Sequence, residues 1–149
     1  MMFRRSTAAF FVFGALAMGS SVGLAAFAFH GLGQSMGYPP EKVTTFFDAT
    51  LFQTDHAVAI LLIGLLCQFM ADGLPRRVIQ LAGVMQCAAI LMFSGSVYAL
   101  TFDRFGELAP VGGFSSMIGW LVFAAGAVLG AMKGDIRVSV SVPRPQVAE

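Results

Sequence analysis

Four apolar segments, each long enough to cross a lipid bilayer, constrain the fold of this chain more than any other feature. The first is residues 8–29, AAFFVFGALAMGSSVGLAAFAF, and the other three are predicted over 43–71, 78–102 and 109–132. A helix rises about 1.5 Å per residue, so a segment of this length matches a hydrocarbon layer about 30 Å thick. Backbone groups in lipid must be hydrogen-bonded within their own segment, which predicts four transmembrane helices.

The composition supports this class of protein. Hydrophobic residues make up 57% of the 149-residue chain and charged residues only 11%, whereas soluble domains have about 25% charged residues. A soluble domain of this size exposes too large a share of its surface to hide so much apolar area. We therefore predict an all-α membrane protein, an antiparallel bundle of four helices that forms one domain over residues 1–132. No basic stripe suggests nucleic-acid binding.

The second segment needs a longer helix than its apolar part supplies. Residues 57–70 are only 14 in number, or about 21 Å of helix, which is too short to span the layer. Because proline suits the first helical turn, the helix is expected to begin soon after Pro39 and Pro40. Asp55 and His56 then lie within the outer part of the helix rather than in a loop.

The basic residues predict the orientation. Seven of the nine lie on one side of the predicted membrane: Arg4, Arg5, Arg76, Arg77, Lys133, Arg137 and Arg144. The positive-inside rule therefore places both termini in the cytoplasm, with 133–149 as a polar cytoplasmic tail whose RVSVSV stretch is flexible or pairs with a partner strand. The first segment exceeds the ~7–15 residues of a signal-peptide core, so we expect it to be retained as a helix. No Arg- and Ser-rich transit-peptide pattern is evident before it, which favours a bacterial plasma membrane over a mitochondrial one.

Small residues predict how the helices pack, because close approach matters more than hydrophobicity in lipid. They recur at helical spacing on the first, third and fourth helices: Gly19, Gly23, Gly95, Gly112, Gly119, Gly126 and Gly130. We expect these faces to pack inside the bundle, although the same spacing also suits homodimerisation.

Ionisable residues near one end of the bundle are the candidate site. His30, Asp48, Asp55 and His56 fall on the predicted outer side. The first interpretation is a polar cap between the first two helices. Two imidazoles can also ligate a haem iron, and two acids beside a histidine can line the mouth of an ion path. Neither a metal geometry nor a path through the membrane is evident from the spacing.

Catalytic patterns are missing from the sequence. Cys67 and Cys87 lie in apolar segments and are predicted to be buried hydrophobes rather than ligands. We identify no Ser-His-Asp or Cys-His arrangement and no glycine-rich phosphate loop after a strand. The sequence therefore predicts a protein that is not an enzyme and has no assigned cofactor.

Four sequence blocks resemble one family. AFHGLGQ follows the first segment, TTFFDATLFQTDHAVAILLIGLL forms the second, LMFSGSVYAL belongs to the third, and LAPVGGFSSMIGW opens the fourth. Together they resemble the domain of unknown function 423 family, which includes small bacterial membrane proteins and transmembrane protein 256. The resemblance covers about residues 8–132 and implies four membrane helices without an assigned activity. Asp55 departs from the family pattern, since a tyrosine often stands in the family at the position before the histidine that corresponds to His56.

Three functions remain as hypotheses. The leading one is an accessory, assembly or structural subunit whose partners are lipids and other membrane proteins or copies of itself. The second is a carrier or channel for an ion or small solute that uses Asp48, Asp55 and His56. The third is a redox protein that binds haem b through His30 and His56.

Overall fold

Four long helices make up the structure, a computed structural model that describes residues 5–134. Helix α1 covers Arg5–Ser35, α2 Pro40–Phe69, α3 Leu74–Thr101 and α4 Ala109–Lys133, and all four are long and apolar enough to cross a membrane. The predicted all-α membrane fold is confirmed. Most of the predicted tail, including the RVSVSV stretch, lies outside the described residues.

Two helices contain π-helical segments that the sequence analysis did not predict. The last part of α1, Phe27–Ser35, is π-helical, and so is Ile90–Ser94 within α3. In Phe27–Ser35 the wider π-helical turn continues to the end of the helix, where the Met36 amide donates to the Gly31 carbonyl over 2.9 Å. A π-helical turn changes the direction in which later side chains point, and such turns are frequent at functional sites.

The turns and helix ends follow from glycine and proline chemistry. Gly37 has a φ of +65°, a conformation that glycine adopts without steric cost, and it lets the chain leave α1. Helix α2 then begins at Pro40, where the missing amide hydrogen costs nothing. Helix α4 ends at Gly134, whose φ of +63° is the left-handed cap that commonly terminates helices.

Consecutive helices run antiparallel, and α2 is the most enclosed of them. Half of its apolar window, 50%, is buried, whereas α1 and α4 each bury 22%. Large apolar side chains of α1 and α4 consequently face outward, for example Leu16 and Leu121. Those faces are the ones that lipid covers.

The apolar core has two parts. The larger lies between α1, α2 and α3 and consists of Phe10, Ala17, Ala57, Ile60, Ile63, Cys67, Met70, Ile79 and Ile90. The smaller lies near the loop between α1 and α2 and consists of Ala28, Leu32, Val43 and Phe46. Aromatic contacts extend it, since the Phe46 ring lies 4.6 Å from that of Tyr98 between centroids. Cys67 and Cys87 are free thiols within these helices.

Three of the predicted packing glycines lie at tight helix contacts. A Cβ at Gly112 would come within 2.4 Å of the Phe93 backbone nitrogen, and one at Gly126 within 2.8 Å of the Ile79 side chain. At Gly119 it would meet Gln86 at 3.0 Å. A Cβ at Gly130 would lie 3.4 Å from the end of the Met70 side chain, which is an ordinary contact distance. The glycines of α4 therefore pack against α3 and the turn before it.

The other predicted glycines do not pack inside the chain. A Cβ at Gly19, Gly23 or Gly95 would meet no neighbouring atom within 4 Å. The tight contacts of α1 instead involve glycines that the spacing did not single out: Gly14 against Leu61, and Gly64 and Gly83 against Phe10. Regular spacing identified a face of α1, but that face points away from the other helices.

Candidate functional site: a polar layer between the helices

The helix ends that carry Arg5, Arg76 and Lys133 lie on the same side of the bundle, which we call the Arg76 end. The number of residues from this end gives the expected depth of each side chain in a membrane. About 20 residues of each helix fill a hydrocarbon layer about 30 Å thick. On α2 this length ends near Leu51, about 20 residues before Met70. Polar side chains cluster just inside that boundary on all four helices. They form the polar layer: Ser20, Ser21, Gln53, Thr54, His56, Ser94, Tyr98 and Ser116.

Gln53 joins α2 to two other helices. Its Nε2 donates to the Ala17 carbonyl over 2.7 Å and to the Ser20 hydroxyl over 2.9 Å. Its Oε1 accepts a hydrogen bond from the Tyr98 hydroxyl over 2.9 Å. Both donor hydrogens of this buried amide are thus used, as burial in an apolar layer requires.

His56 joins α2 to α4. Its Nδ1 lies 2.8 Å from the Phe52 carbonyl, which can only accept, so this nitrogen carries the hydrogen. Nε2 is then the acceptor, and the Ser116 hydroxyl donates to it over 2.6 Å. The imidazole also stacks on the Phe52 ring at a centroid distance of 3.8 Å. These contacts fix both the tautomer and the orientation of the ring.

Two further contacts complete the layer. The Ser94 hydroxyl donates to the Ala49 carbonyl over 3.0 Å, which holds the π-helical turn of α3 against α2. Thr54 donates to Ser21 over 2.9 Å, a second link between α2 and α1. Helix α2 is therefore hydrogen-bonded to each of the other three helices at one depth.

A separate polar contact closes the Arg76 end. The buried guanidinium of Arg76 donates to the Cys67 carbonyl over 3.0 Å and to the Asp72 carboxylate over 2.6 Å. It also reaches the Ser6 hydroxyl of α1 at 3.3 Å. Arg76 thus caps the end of α2 and connects it to α1. The planar guanidinium can do both because it carries several hydrogen-bond donors.

The four predicted site residues do not come together. His56 is buried, whereas Asp48 and Asp55 are exposed on the outer face of α2. His30 is also exposed, and its Nδ1 lies 3.0 Å from the Gln34 side chain of the same helix. A single polar cap made of these four residues is not present; Gln53 of α2 instead bonds to Ser20 and Tyr98, and His56 bonds to Ser116.

The two histidines are far apart. Gly14 of α1 faces the carbonyl of Ala57, next to His56, whereas the ring of Phe29, next to His30, contacts Phe47. The imidazoles are therefore separated by about 20 Å along the bundle at 1.5 Å per residue. In this arrangement they do not share one iron. Within residues 5–134, no group of three or more His, Cys, Asp or Glu side chains is placed to hold a metal ion.

The Ser116–His56 pair is a contact that the sequence analysis missed. A serine hydroxyl bonded to an imidazole is also the arrangement that activates a nucleophile. Here both residues are almost fully buried, His56 at 8% and Ser116 at 6% exposure. The carbonyl that orients the imidazole belongs to Phe52, and Asp55 points outward. The pair joins two helices, and both side chains are enclosed by their neighbours.

One polar group near the layer is only partly satisfied. Gln86 of α3 is fully buried, and its Nε2 reaches the Ser116 carbonyl at a long 3.4 Å. Its Oε1 has no hydrogen-bond partner among the described residues. A buried acceptor without a partner is costly, so Gln86 contributes less to stability than Gln53 does.

The helices and their internal polar contacts define an integral membrane protein of the multi-span helical class. The family described as "Protein of unknown function (DUF423)" matches residues 24–113, and the chain belongs to this family. The family resemblance of the sequence blocks is thereby confirmed.

Bacterial relatives support the same assignment. The chain is 32% identical to the UPF0382 membrane protein SAB0533 of Staphylococcus aureus over 116 residues, which cover 76% of this chain and 89% of that protein. It is 29% identical to the UPF0382 membrane protein YwdK of Bacillus subtilis over 80% of this chain and 95% of the relative. A UPF0382 membrane protein of Haemophilus influenzae is 33% identical over 71% of this chain and 82% of its own length. No solved structure matches the chain.

Proposed function

We propose that this protein is a non-catalytic accessory or assembly subunit of a complex in the bacterial plasma membrane. The observation that carries the proposal is the pairing of the polar layer. Gln53, Thr54 and His56 use their hydrogen-bonding groups to hold α2 against α1, α3 and α4. Side chains committed to packing are not free to bind a transported ion or a substrate.

The outward faces support the same proposal. Helix α1 buries only 22% of its apolar window, and Gly19 and Gly23 on it have open space where a Cβ would be. Small residues on a membrane helix let another helix approach closely. A subunit that docks onto other membrane proteins, or onto a copy of itself, needs such a face in addition to a self-supporting core.

The proposed orientation places both termini in the cytoplasm. Arg5, Arg76, Arg77 and Lys133 lie at one end of the helices, whereas Lys42 and Arg104 lie at the other. The excess of basic residues marks the cytoplasmic side of short-loop membrane proteins.

The alternative of a carrier or channel has less geometric support. Asp48 and Asp55 face outward from α2, and His56 faces inward to Ser116, so the three do not line one opening. The separation of His30 and His56 described above argues against the haem alternative, because the two imidazoles do not reach one iron.

Cross-linking in native membranes followed by co-purification in a gentle detergent tests the proposal. We expect the protein to be recovered with one or a few membrane proteins in constant ratio, above the level found with an unrelated four-helix protein expressed equally. Recovery as a monomer that cross-links to nothing would contradict the proposal.

A further inference from the structure

The exposed side of α2 carries an acid at a depth where lipid surrounds it. The outward positions of this helix follow each other at steps of three and four and form what we call the α2 stripe: Asp48, Leu51, Asp55, Val58, Leu62, Leu65 and Phe69. Below Asp55 the stripe is entirely apolar. From Phe46 to Phe69 the other residues of α2 are buried or half-buried, so the stripe is the side of this part of the helix that is open to an additional partner.

Residue counts from the Arg76 end place Asp55 inside a hydrocarbon layer about 30 Å thick. Counted from the Arg76 end, the layer on α2 ends near Leu51, so Asp55 lies about 6 Å inside it. The neighbours of Asp55 give a similar depth. Thr54 is bonded to Ser21 in the middle of α1, and His56 is bonded to Ser116, which lies well inside α4. Asp48, two helical turns earlier, lies outside the layer by the same count.

Within the described chain, the Asp55 carboxylate interacts only electrostatically, with the neighbouring His56. It takes part in no hydrogen bond or ion pair with residues 5–134 and is exposed. Aspartate has a single methylene, so it does not extend to the membrane surface in the way that lysine and arginine do. Ionisable groups at this depth are costly in lipid and are almost always paired.

The described residues of a second copy of this chain do not supply the partner. Basic side chains of the described helices and loops lie at their ends: Arg5, Lys42, Arg76, Arg77, Arg104 and Lys133. A copy in the same orientation would therefore bring no cation to the depth of Asp55, and a symmetric contact through the stripe would place two carboxylates together. Like charges in a low-dielectric layer repel strongly.

We propose that the α2 stripe docks a transmembrane helix of a different protein that carries a lysine or arginine in the outer third of the hydrocarbon layer, paired with Asp55. The apolar side chains from Val58 to Phe69 pack along the same helix toward the Arg76 end. This inference rests on the proposed accessory function and specifies its docking face and the charge of its partner.

Site-specific photo-cross-linking in native membranes tests the docking face. A photoactivatable phenylalanine analogue is placed at Val58 or Leu62 of the stripe. Exposed controls on the other outward faces are Leu121 of α4 and Val12 of α1, the second of which lies on the face of Gly19 and Gly23 and so also reports docking there. Mass spectrometry identifies the partner and the cross-linked helix. We expect adducts from the stripe positions with a helix that has a lysine or arginine within about two turns of the level of Asp55.

Charge variants test the pairing. Asp55→Asn should lower the adduct yield by about tenfold or more, because it leaves the partner's cation unpaired in lipid. Asp48→Asn, at a water-exposed level of the same face, should leave the yield within about twofold, since solvent screens that charge. Asp55→Lys combined with exchange of the partner's basic residue for aspartate should restore the adduct.

Each other outcome overturns the inference in a distinguishable way. Adducts only from the α1 or α4 controls would overturn the docking face and leave the accessory function standing. Stripe adducts with this same chain, with a helix that has no basic residue, or with undiminished yield in Asp55→Asn would overturn the charge pairing. No adducts from any position would overturn the accessory function as well.

Discussion

The hydroxyl of Ser116 on α4 donates a hydrogen bond of 2.6 Å to the buried imidazole of His56 on α2. This contact joins two helices that are far apart in the sequence and have few other polar links. It shows that a histidine placed near the start of an apolar run can serve the packing of the bundle rather than its surface.

The first prediction concerns this pair. Ser116→Ala should lower the free energy of unfolding by about 1–2 kcal/mol, because Nε2 of His56 is left buried without a donor. A double-mutant cycle with His56→Phe should give a coupling energy of about 0.6–1.7 kcal/mol, the range measured between membrane helices. Unfolding followed by circular dichroism during titration with a denaturing detergent measures both values.

The control for that cycle is the neighbouring serine. Ser115 donates to the Met85 carbonyl and makes no contact with His56. Ser115→Ala and His56→Phe should therefore be additive within about 0.5 kcal/mol. Equal coupling for Ser115 and Ser116 would show that the hydrogen bond to the imidazole is not the source of the effect.

The second prediction compares two buried glutamines. Gln53→Met removes hydrogen bonds to Ala17, Ser20 and Tyr98 and should destabilise the protein by about 2–3 kcal/mol. Gln86→Met removes one long contact together with an acceptor that has no partner, so its effect should be near zero or stabilising. Thermal unfolding in the same detergent ranks the two. A larger loss for Gln86→Met than for Gln53→Met would contradict the prediction.

The third prediction tests the closest helix contact. Gly112→Ala would place a Cβ 2.4 Å from the backbone nitrogen of Phe93, an atom that cannot rotate away. We expect a loss of about 2–3 kcal/mol, as for overpacked cores. Gly113→Ala is the matched control, because its Cβ would lie 3.9 Å from the Phe93 ring. Its unfolding transition should stay within about 0.5 kcal/mol of the natural protein.

The length of the apolar segments was enough to predict the four helices, but not how each helix is rotated about its axis. In a soluble protein, the polar face of a helix points to water and reveals its rotation. In lipid both faces are apolar, and Gly19 and Gly23 therefore seemed as suited to internal packing as Gly112 did. Only the contacts show that the first two face outward.

The same limit explains the candidate site. Asp55 and His56 are neighbours in sequence, but they lie about 100° apart around α2, so that Asp55 is exposed and His56 is buried. The sequence analysis grouped them by position along the chain. The partners of the polar layer, Gln53 with Tyr98 and His56 with Ser116, depend on rotation and on the π-helical turn of α3. A usable signal was present in the polar residues within the apolar segments, since polar groups at such depth need partners.

The fourth prediction concerns Arg76. Arg76→Ala should destabilise the protein by about 2–3 kcal/mol, because it removes charged hydrogen bonds to the Cys67 carbonyl and Asp72. Arg76→Lys should recover only part of this loss, since an ammonium does not reproduce the planar set of donors. Arg77→Ala is the control, because Arg77 is exposed, and it should change stability by less than about 0.5 kcal/mol. Full rescue by lysine would show that charge alone is responsible.

The fifth prediction tests the orientation. In a variant with Cys67 and Cys87 replaced by alanine, a single cysteine at Met36 or Asp103 should react with a membrane-impermeant maleimide added to intact cells. Both positions are exposed at the end of the bundle opposite Arg76. A cysteine at Asp72 or Lys133, also exposed but at the Arg76 end, should react only after the membrane is opened. The basic residues at that end favour the cytoplasmic side. The reverse pattern of labelling would place both termini outside the cell, and Asp55 would then lie nearer the cytoplasmic side of the layer. Equal labelling of all four positions in intact cells would indicate a leaky membrane, which a cytoplasmic marker protein detects.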